Sequence, residues 1–242
     1  MYSLSIGQLC LKKNNFFVKN KTINKLYIFF LLLISLAVNQ YYGYQGVLPI
    51  DSFLIFNSGY DVLNGHIPFR DYWTIKEPII DFMQSLYFRY FGVNWFAYVF
   101  HASSFNALTT IVTYLSLKKL NLNINYCFFY SLCFSLLFYP TSGTPFSDLH
   151  TLGFCLMAFF CFILALENNN KYLWFLLPII LSISFFSKQS PTIYFALIFF
   201  FNSVYYFYFF KKKISFLYSF AGLIFSVLIF FFYYLHNKNR IS

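Results

Sequence analysis

What most constrains this chain is a recurrence of apolar runs separated by short polar stretches. Each run is roughly 16 to 22 residues, close to the ~20 a helix needs to cross a ~30 Å hydrocarbon layer. Seven are expected as spans: Leu26 to Tyr42, Asn94 to Leu117, Ile124 to Tyr139, Thr151 to Leu166, Tyr172 to Phe186, Pro191 to Phe210, and Ile214 to Leu235. Backbone groups in lipid must find their partners within the chain, so these runs should be helices. Composition agrees. Of 242 residues, 60% are hydrophobic and 10% charged, whereas a soluble domain carries roughly a quarter charged. The expected fold is an all-α integral membrane protein with about seven transmembrane helices. The third to fifth runs are short and call for a thin or protein-surrounded setting. Phe, Tyr, Ile, Lys and Asn are abundant together, a pattern of AT-rich coding, so the aromatic richness carries no functional weight.

Charge sets the expected sidedness through the excess of Lys and Arg on the cytoplasmic face. With the N-terminus inside, eleven cations fall inside: Lys12, Lys13, Lys19, Lys21, Lys25, Lys118, Lys119, Lys171, Lys211, Lys212 and Lys213. Six fall outside: Arg70, Lys76, Arg89, Lys188, Lys238 and Arg240. The chain then divides into a basic cytoplasmic N-terminus (1–25), a transmembrane module (26–235) and a short polar tail (236–242). No small-residue cleavage site follows the first run, so it reads as a retained signal anchor. The expected location is the cell (inner) membrane, multi-pass. The net charge of +10 reports topology and contact with anionic membrane lipid, and nucleic acid is not an expected partner.

The first outer loop, residues 43–93, is far longer than a connection requires, and long loops are functional or disordered. This one is too apolar for disorder. Phe53, Phe56, Tyr60 and Leu63 recur at helical spacing, and Asn64-Gly65 offers a C-cap. A second helix follows Pro78, with Ile79, Phe82, Met83, Leu86 and Tyr90 on one face and Asp81, Gln84, Ser85 and Arg89 on the other. Its length and charges suit a helix lying in the interface. Five of the seven acids, Asp51, Asp61, Asp71, Glu77 and Asp81, lie in this loop. Arg70, Asp71, Lys76 and Glu77 stand among Pro68, Phe69, Tyr72, Trp73 and Pro78, which suggests a built pocket.

Several tempting patterns carry no weight. Asp51 and Asp61 are ten residues apart, ~15 Å along a helix, too far to share a metal or a proton. His66, His101, His150 and His236 are scattered and read as loop or helix-packing residues. No His/Cys cluster has metal-ligand spacing, and there is no phosphate-binding glycine loop. No cofactor is implied, and metal dependence stays open. The cysteines lie in spans or, for Cys10, in the cytoplasm, so no disulfide is expected. Asp148 opens the fourth span, where an anion suits a helix N-terminus. Lys188 lies between two apolar runs on the side the charge rule disfavours. It is either a snorkelling loop lysine or a functional cation.

The order of these features resembles the GT-C class of membrane glycosyltransferases that use polyprenyl-phosphate sugars, such as the protein O-mannosyltransferases and the aminoarabinose transferases of lipid A. The residues that carry the resemblance are Asp51, Gly65-His66-Ile67-Pro68-Phe69-Arg70-Asp71, Lys76-Glu77-Pro78 and Phe91-Gly92. Ser147-Asp148 and Phe186-Ser187-Lys188-Gln189 join them farther on. The resemblance runs from about Leu26 to Lys213. In two respects the chain departs from it. Asp51 is followed by Ser52, where such enzymes often have a second acid. Such enzymes are also commonly much longer, so this chain corresponds to the shared catalytic module.

The resemblance implies transfer of a sugar from a polyprenyl-phosphate donor to a glycan, lipid or protein acceptor at the outer face. The acceptor must lose a proton, which calls for a carboxylate base, and the departing lipid phosphate calls for cations. Asp51 is the expected catalytic base. Arg70, Lys76 and Lys188 are the expected phosphate ligands, Arg as a fork and Lys as a point charge. Asp71 and Asp148 are expected to help bind substrate. The competing readings are a truncated or non-catalytic membrane component, and a lipid or sugar transporter. Against transport, there is no inverted repeat or pair of Gly/Pro-broken helices.

Overall fold

The computed structural model describes the backbone of residues 6–45, 51–73 and 78–238, with side chains within 22–45, 53–73 and 78–231. The helices in chain order are α1 (Ile6–Gly43), α2 (Asp51–Leu63), α3 (Ile79–Phe91), α4 (Trp95–Lys119), α5 (Ile124–Leu137), α6 (Ser147–Asn168), α7 (Lys171–Phe185), α8 (Gln189–Phe209) and α9 (Lys213–Lys238). Each of the seven expected spans lies on a helix, and α2 and α3 fill the segment between the first two. Among the described residues, four stretches have the length and apolarity to cross a membrane: Thr22–Gly43 of α1, all of α6 and α8, and Lys213–Phe231 of α9. Helices α5 and α7 are apolar but shorter.

Helix α4 has the length, 25 residues, but polar groups lower its hydropathy. They are buried: His101, Ser103, Asn106, Thr109, Thr110 and Thr113. The surface is the converse, with large apolar side chains such as Phe201, Tyr208, Ile214 and Val227 exposed along α8 and α9. Burying small and polar groups while exposing apolar ones suits lipid, where association rests on close packing and interhelical hydrogen bonds. Asn39 Nδ2 of α1 donates to Ser103 Oγ at 3.0 Å and to the Gly143 carbonyl at 3.2 Å. Asn106 Nδ2 donates to the Ser135 carbonyl of α5 at 2.9 Å. Gly153 lets α6 close on α4, because a Cβ there would lie 2.6 Å from the Phe105 ring.

Local chemistry sets the ends. Asn94, Asn123 and Asn170 cap α4, α5 and α7, each side chain accepting a backbone N–H, as short polar side chains do at N-caps. Helix α2 stops where expected, Gly65 taking φ 89° just past its end, a conformation glycine adopts without steric cost. The bundle has two chemically different ends. At one, Lys118 Nζ meets Asn24 Oδ1 at 2.7 Å, and Lys171 lies over the Tyr172 and Tyr218 rings at 5.3 and 5.4 Å. At the other end stand the N-termini of α4, α6 and α8, together with α2 and α3. Trp95 Nε1 donates to the Gly43 carbonyl there at 3.1 Å.

Packing decides which faces of α2 and α3 turn inward. On α2 the buried row is Ile55, Ser58 and Gly59, while Phe53 and Tyr60 are exposed. On α3 the polar face turns inward: Asp81 and Gln84 are 1% and 0% exposed, while Leu86 and Tyr90 are 50% and 78% exposed. The reason is the partner. Asp81 meets Ser58 of α2 and the Tyr72 hydroxyl, and Gln84 meets His101 of α4, so α3 satisfies its polar groups inward and leaves apolar ones outward. Only Arg89 of that polar face stays exposed.

Candidate functional site

At the end where α2, α3 and the N-termini of α4, α6 and α8 converge, charged groups lie over a buried polar chain. The turn after α2 is closed by its own residues. The Phe69 N–H donates to the Tyr72 carbonyl at 3.0 Å, with Phe69 at φ 65°. The Asp71 carboxylate accepts the Ile67 N–H at 2.8 Å. It also accepts Arg70 Nε at 2.7 Å and Nη2 at 2.6 Å. The Arg70 hydrogen bonds, then the one from Ile67, hold the Asp71 carboxyl down at about 2. An anion arriving at Arg70 must therefore share its guanidinium with Asp71. Asp71 accepts from both the Arg70 side chain and the Ile67 backbone and so holds the turn together.

Tyr72 fastens this turn to the bundle. Its hydroxyl donates to Asp81 Oδ2 at 3.0 Å, and Ser58 Oγ lies 2.6 Å from Asp81 Oδ1. The N-terminus of α3 meets the turn between α7 and α8, the Ile79 N–H donating to the Phe186 carbonyl at 3.2 Å. Two residues past that carbonyl, Lys188 pairs with Asp148 at 2.5 Å, both side chains partly exposed. The fold brings these two together across 40 residues. Lys188 is thus paired with a carboxylate of the protein while staying partly exposed. Asp148 lies in the first turn of α6, where an anion is favoured.

Asp51 is the first residue of α2; its side chain lies outside the described residues, as do Lys76 and Glu77 entirely. Asp61 is ten positions along the same helix, near His66 at 3.5 Å.

Beneath the charges runs a chain the sequence did not reveal. Gln84 Oε1 lies 2.9 Å from His101 Nδ1, His101 Nε2 lies 3.1 Å from His150 Nε2, and His150 Nδ1 lies 2.6 Å from the Tyr139 hydroxyl. Gln84, His101, His150 and Tyr139 are all fully buried. The two imidazoles come from distant helices, and no spacing rule links them. The one available signal was polarity in the middle of an otherwise apolar run, which marks function inside a membrane. Among the described residues no group of three His, Cys, Asp or Glu is placed to hold a metal ion.

Fold and surface together define a helical membrane protein with the Arg70–Asp71 and Lys188–Asp148 pairs at one end of its bundle. No family model, curated protein or solved structure matches the chain.

Proposed function

We propose that the chain is the catalytic module of a membrane glycosyltransferase that takes its sugar from a polyprenyl-phosphate donor, with seven spans and the α2–α3 end outside. The observation that carries the reading is the convergence of Arg70, Asp148 and Lys188, remote in sequence, at the end that also holds α2 and α3. A lipid phosphate needs cations at headgroup level with its tail in hydrocarbon, and this end supplies them beside exposed apolar helices. Asp51 opens α2 at the same end and is the general base. Lys76 joins Lys188 and Arg70 in meeting the phosphate. Helix α4 counts as a span because its polar groups are buried; α7 crosses packed against α6, α8 and α9, and the short α5, with Cys127, Ser131 and Ser135 its buried residues, crosses where the bilayer is thin.

The test compares lipid-linked sugars and glycans, by mass spectrometry, in cells with and without the gene. Loss of the gene should leave a polyprenyl-phosphate sugar unspent and one glycosylated acceptor missing. Unchanged levels of both end the proposal. Sidedness is tested in a cysteine-free variant carrying His66→Cys, an exposed position beside α2. An impermeant thiol reagent should label it in intact cells, and labelling only after lysis would reverse the topology.

A further inference from the structure

The paired histidines carry an inference that does not depend on the transferase reading. We infer that His101 and His150 form a single-proton site, a buried imidazole pair whose proton order is set from Tyr139 at one end and Gln84 at the other.

The argument is an inventory of donors and acceptors. The Phe146 N–H donates to the Tyr139 oxygen at 2.9 Å, leaving the Tyr139 O–H to donate to His150 Nδ1, 2.6 Å away. A neutral imidazole carries one N–H and one lone pair. With Nδ1 accepting, His150 carries its hydrogen on Nε2 and donates it to His101 Nε2 at 3.1 Å. His101 then carries its own hydrogen on Nδ1 and donates it to Gln84 Oε1 at 2.9 Å. Every ring nitrogen is satisfied in this order, and both rings are neutral. Only one other neutral order is complete, the reverse, and it requires the Gln84 amide to turn end for end. The two rings therefore cannot choose tautomers independently.

The chain accepts one added proton. It binds at His150 Nδ1, whose N–H then donates to the Phe146 carbonyl at 3.2 Å, while Nε2–H still donates to His101. Transfer across the N–H···N bond moves the charge to His101 without moving a heavy atom. A second proton has no place. Both Nε2 atoms would then carry hydrogens aimed at each other across 3.1 Å. The rings cannot swing apart, because Tyr87 stacks on His101 at 4.8 Å and Phe105 on His150 at 4.2 Å.

Among the described residues the surrounding ionisable groups are few. Asp81 of α3, one turn before Gln84, is the near carboxylate and is bonded to Ser58 of α2 and Tyr72. Tyr98 of α4 lies within electrostatic reach of Asp81 and Tyr139. On α6, Asp148 is held by Lys188 of the α7–α8 turn. The facing groups of α1 and α5 on this stretch of α4 are the neutral Asn39 amide and the Ser135 carbonyl. The site therefore joins α3 to α6 through α4 and gives that junction two proton orders and one possible charge.

The experiment is nitrogen NMR on the full chain in lipid nanodiscs, isotope-labelled at histidine, with His66→Gln and His236→Gln so that only the pair reports. At neutral pH one ring should be the Nδ1–H tautomer and the other Nε2–H, with a scalar coupling between the two Nε2 nitrogens. On acidification no more than one imidazolium per chain should form while helicity is retained. Tyr139→Phe removes the donor to His150 and should reverse both tautomers, although Tyr139 does not touch His101. Two imidazoliums in a folded chain overturn the inference, as does a pair that takes up no proton before unfolding. So does a His101 tautomer that ignores Tyr139→Phe. If that variant fails to fold, the coupling and the proton count decide alone, and a missing coupling overturns the inference.

Discussion

Where α3, α4 and α6 meet, the buried polar side chains include Asp81, Gln84, His101 and His150; around the N-terminal half of α7 the buried side chains include Trp174, Phe162, Leu177, Ala165 and Phe199. The first region is held by directed bonds between helices. The second is held mainly by contact, with the Trp174 ring 5.4 Å from Tyr206 and 4.7 Å from Phe207; directed bonds return at the far end of α7, where Ser184 meets Thr192 and the Thr151 carbonyl. Both lie in one bundle, and the helix that serves both is α6, which offers His150 to one and Ala158 and Phe162 to the other. In lipid, burying an apolar side chain gains little hydrophobic energy, so close packing must hold the second region. Polar partners in the first cost desolvation unless satisfied. They are retained where chemistry or proton handling uses them. The charged groups of the proposed site stand above the polar region only.

The contrast breaks most readily at its apolar end. Trp174→Ala removes a fully buried ring and should cost roughly 3–5 kcal/mol of stability, measured by denaturant titration in detergent. Donor use by the fraction that stays folded should not change. If activity fell with stability intact, the two regions would not be separable.

Asp51→Asn tests the other side, under the transferase reading. Turnover should fall by at least about a hundredfold, since general-base help is typically worth that or more, while stability holds. Asn caps a helix about as well as Asp, so an Asn enzyme with more than about a tenth of normal turnover would leave Asp51 a cap only. Asp61→Asn, ~15 Å along the same helix, should do much less.

Lys188→Ala should raise the donor KM by about tenfold, the scale of one charged hydrogen bond. Arg70→Ala and Lys76→Ala should act in the same direction, Arg70 less because Asp71 shares its guanidinium. Donor kinetics unchanged in all three would remove the phosphate assignment. A smaller effect sharpens the polar side. Asn39→Ala deletes two interhelical bonds and should cost about 0.6 to 1.7 kcal/mol, the range for such bonds in membranes. A loss matching that of Trp174→Ala would put directed bonds and packing on one scale.

The smallest effect is at Asp71. Its folded carboxyl is held at about 2 from an ordinary 3.8, so its contribution is complete above the ordinary value. That contribution is lost as pH falls from the ordinary value through the folded one. Arg70→Gln removes the main cause, and the Asp71 titration, followed by carbon NMR of its carboxyl, should move up toward the ordinary value. An unmoved midpoint would assign the effect to the Ile67 N–H alone.

Helix positions were legible in the sequence because a span is a local matter, a run of apolar residues long enough for hydrocarbon. Each of the seven runs lies on a helix, and Asn94, Asn123 and Gly65 mark ends that neighbouring residues suffice to set. The segregation of Lys118 and Lys171 from Arg70 and Lys188 was legible too, since alternating spans sort loops between two ends. The facing of α3 was not. Periodicity separates a polar face from an apolar one, but which face turns inward depends on whether the neighbour is water, lipid or a polar helix. Only the packing of α3 against α2 and α4 decided that Asp81 and Gln84 point in. The pairing of Lys188 with Asp148 and of His101 with His150 was decided in the same way, because contacts between distant segments follow from how helices pack.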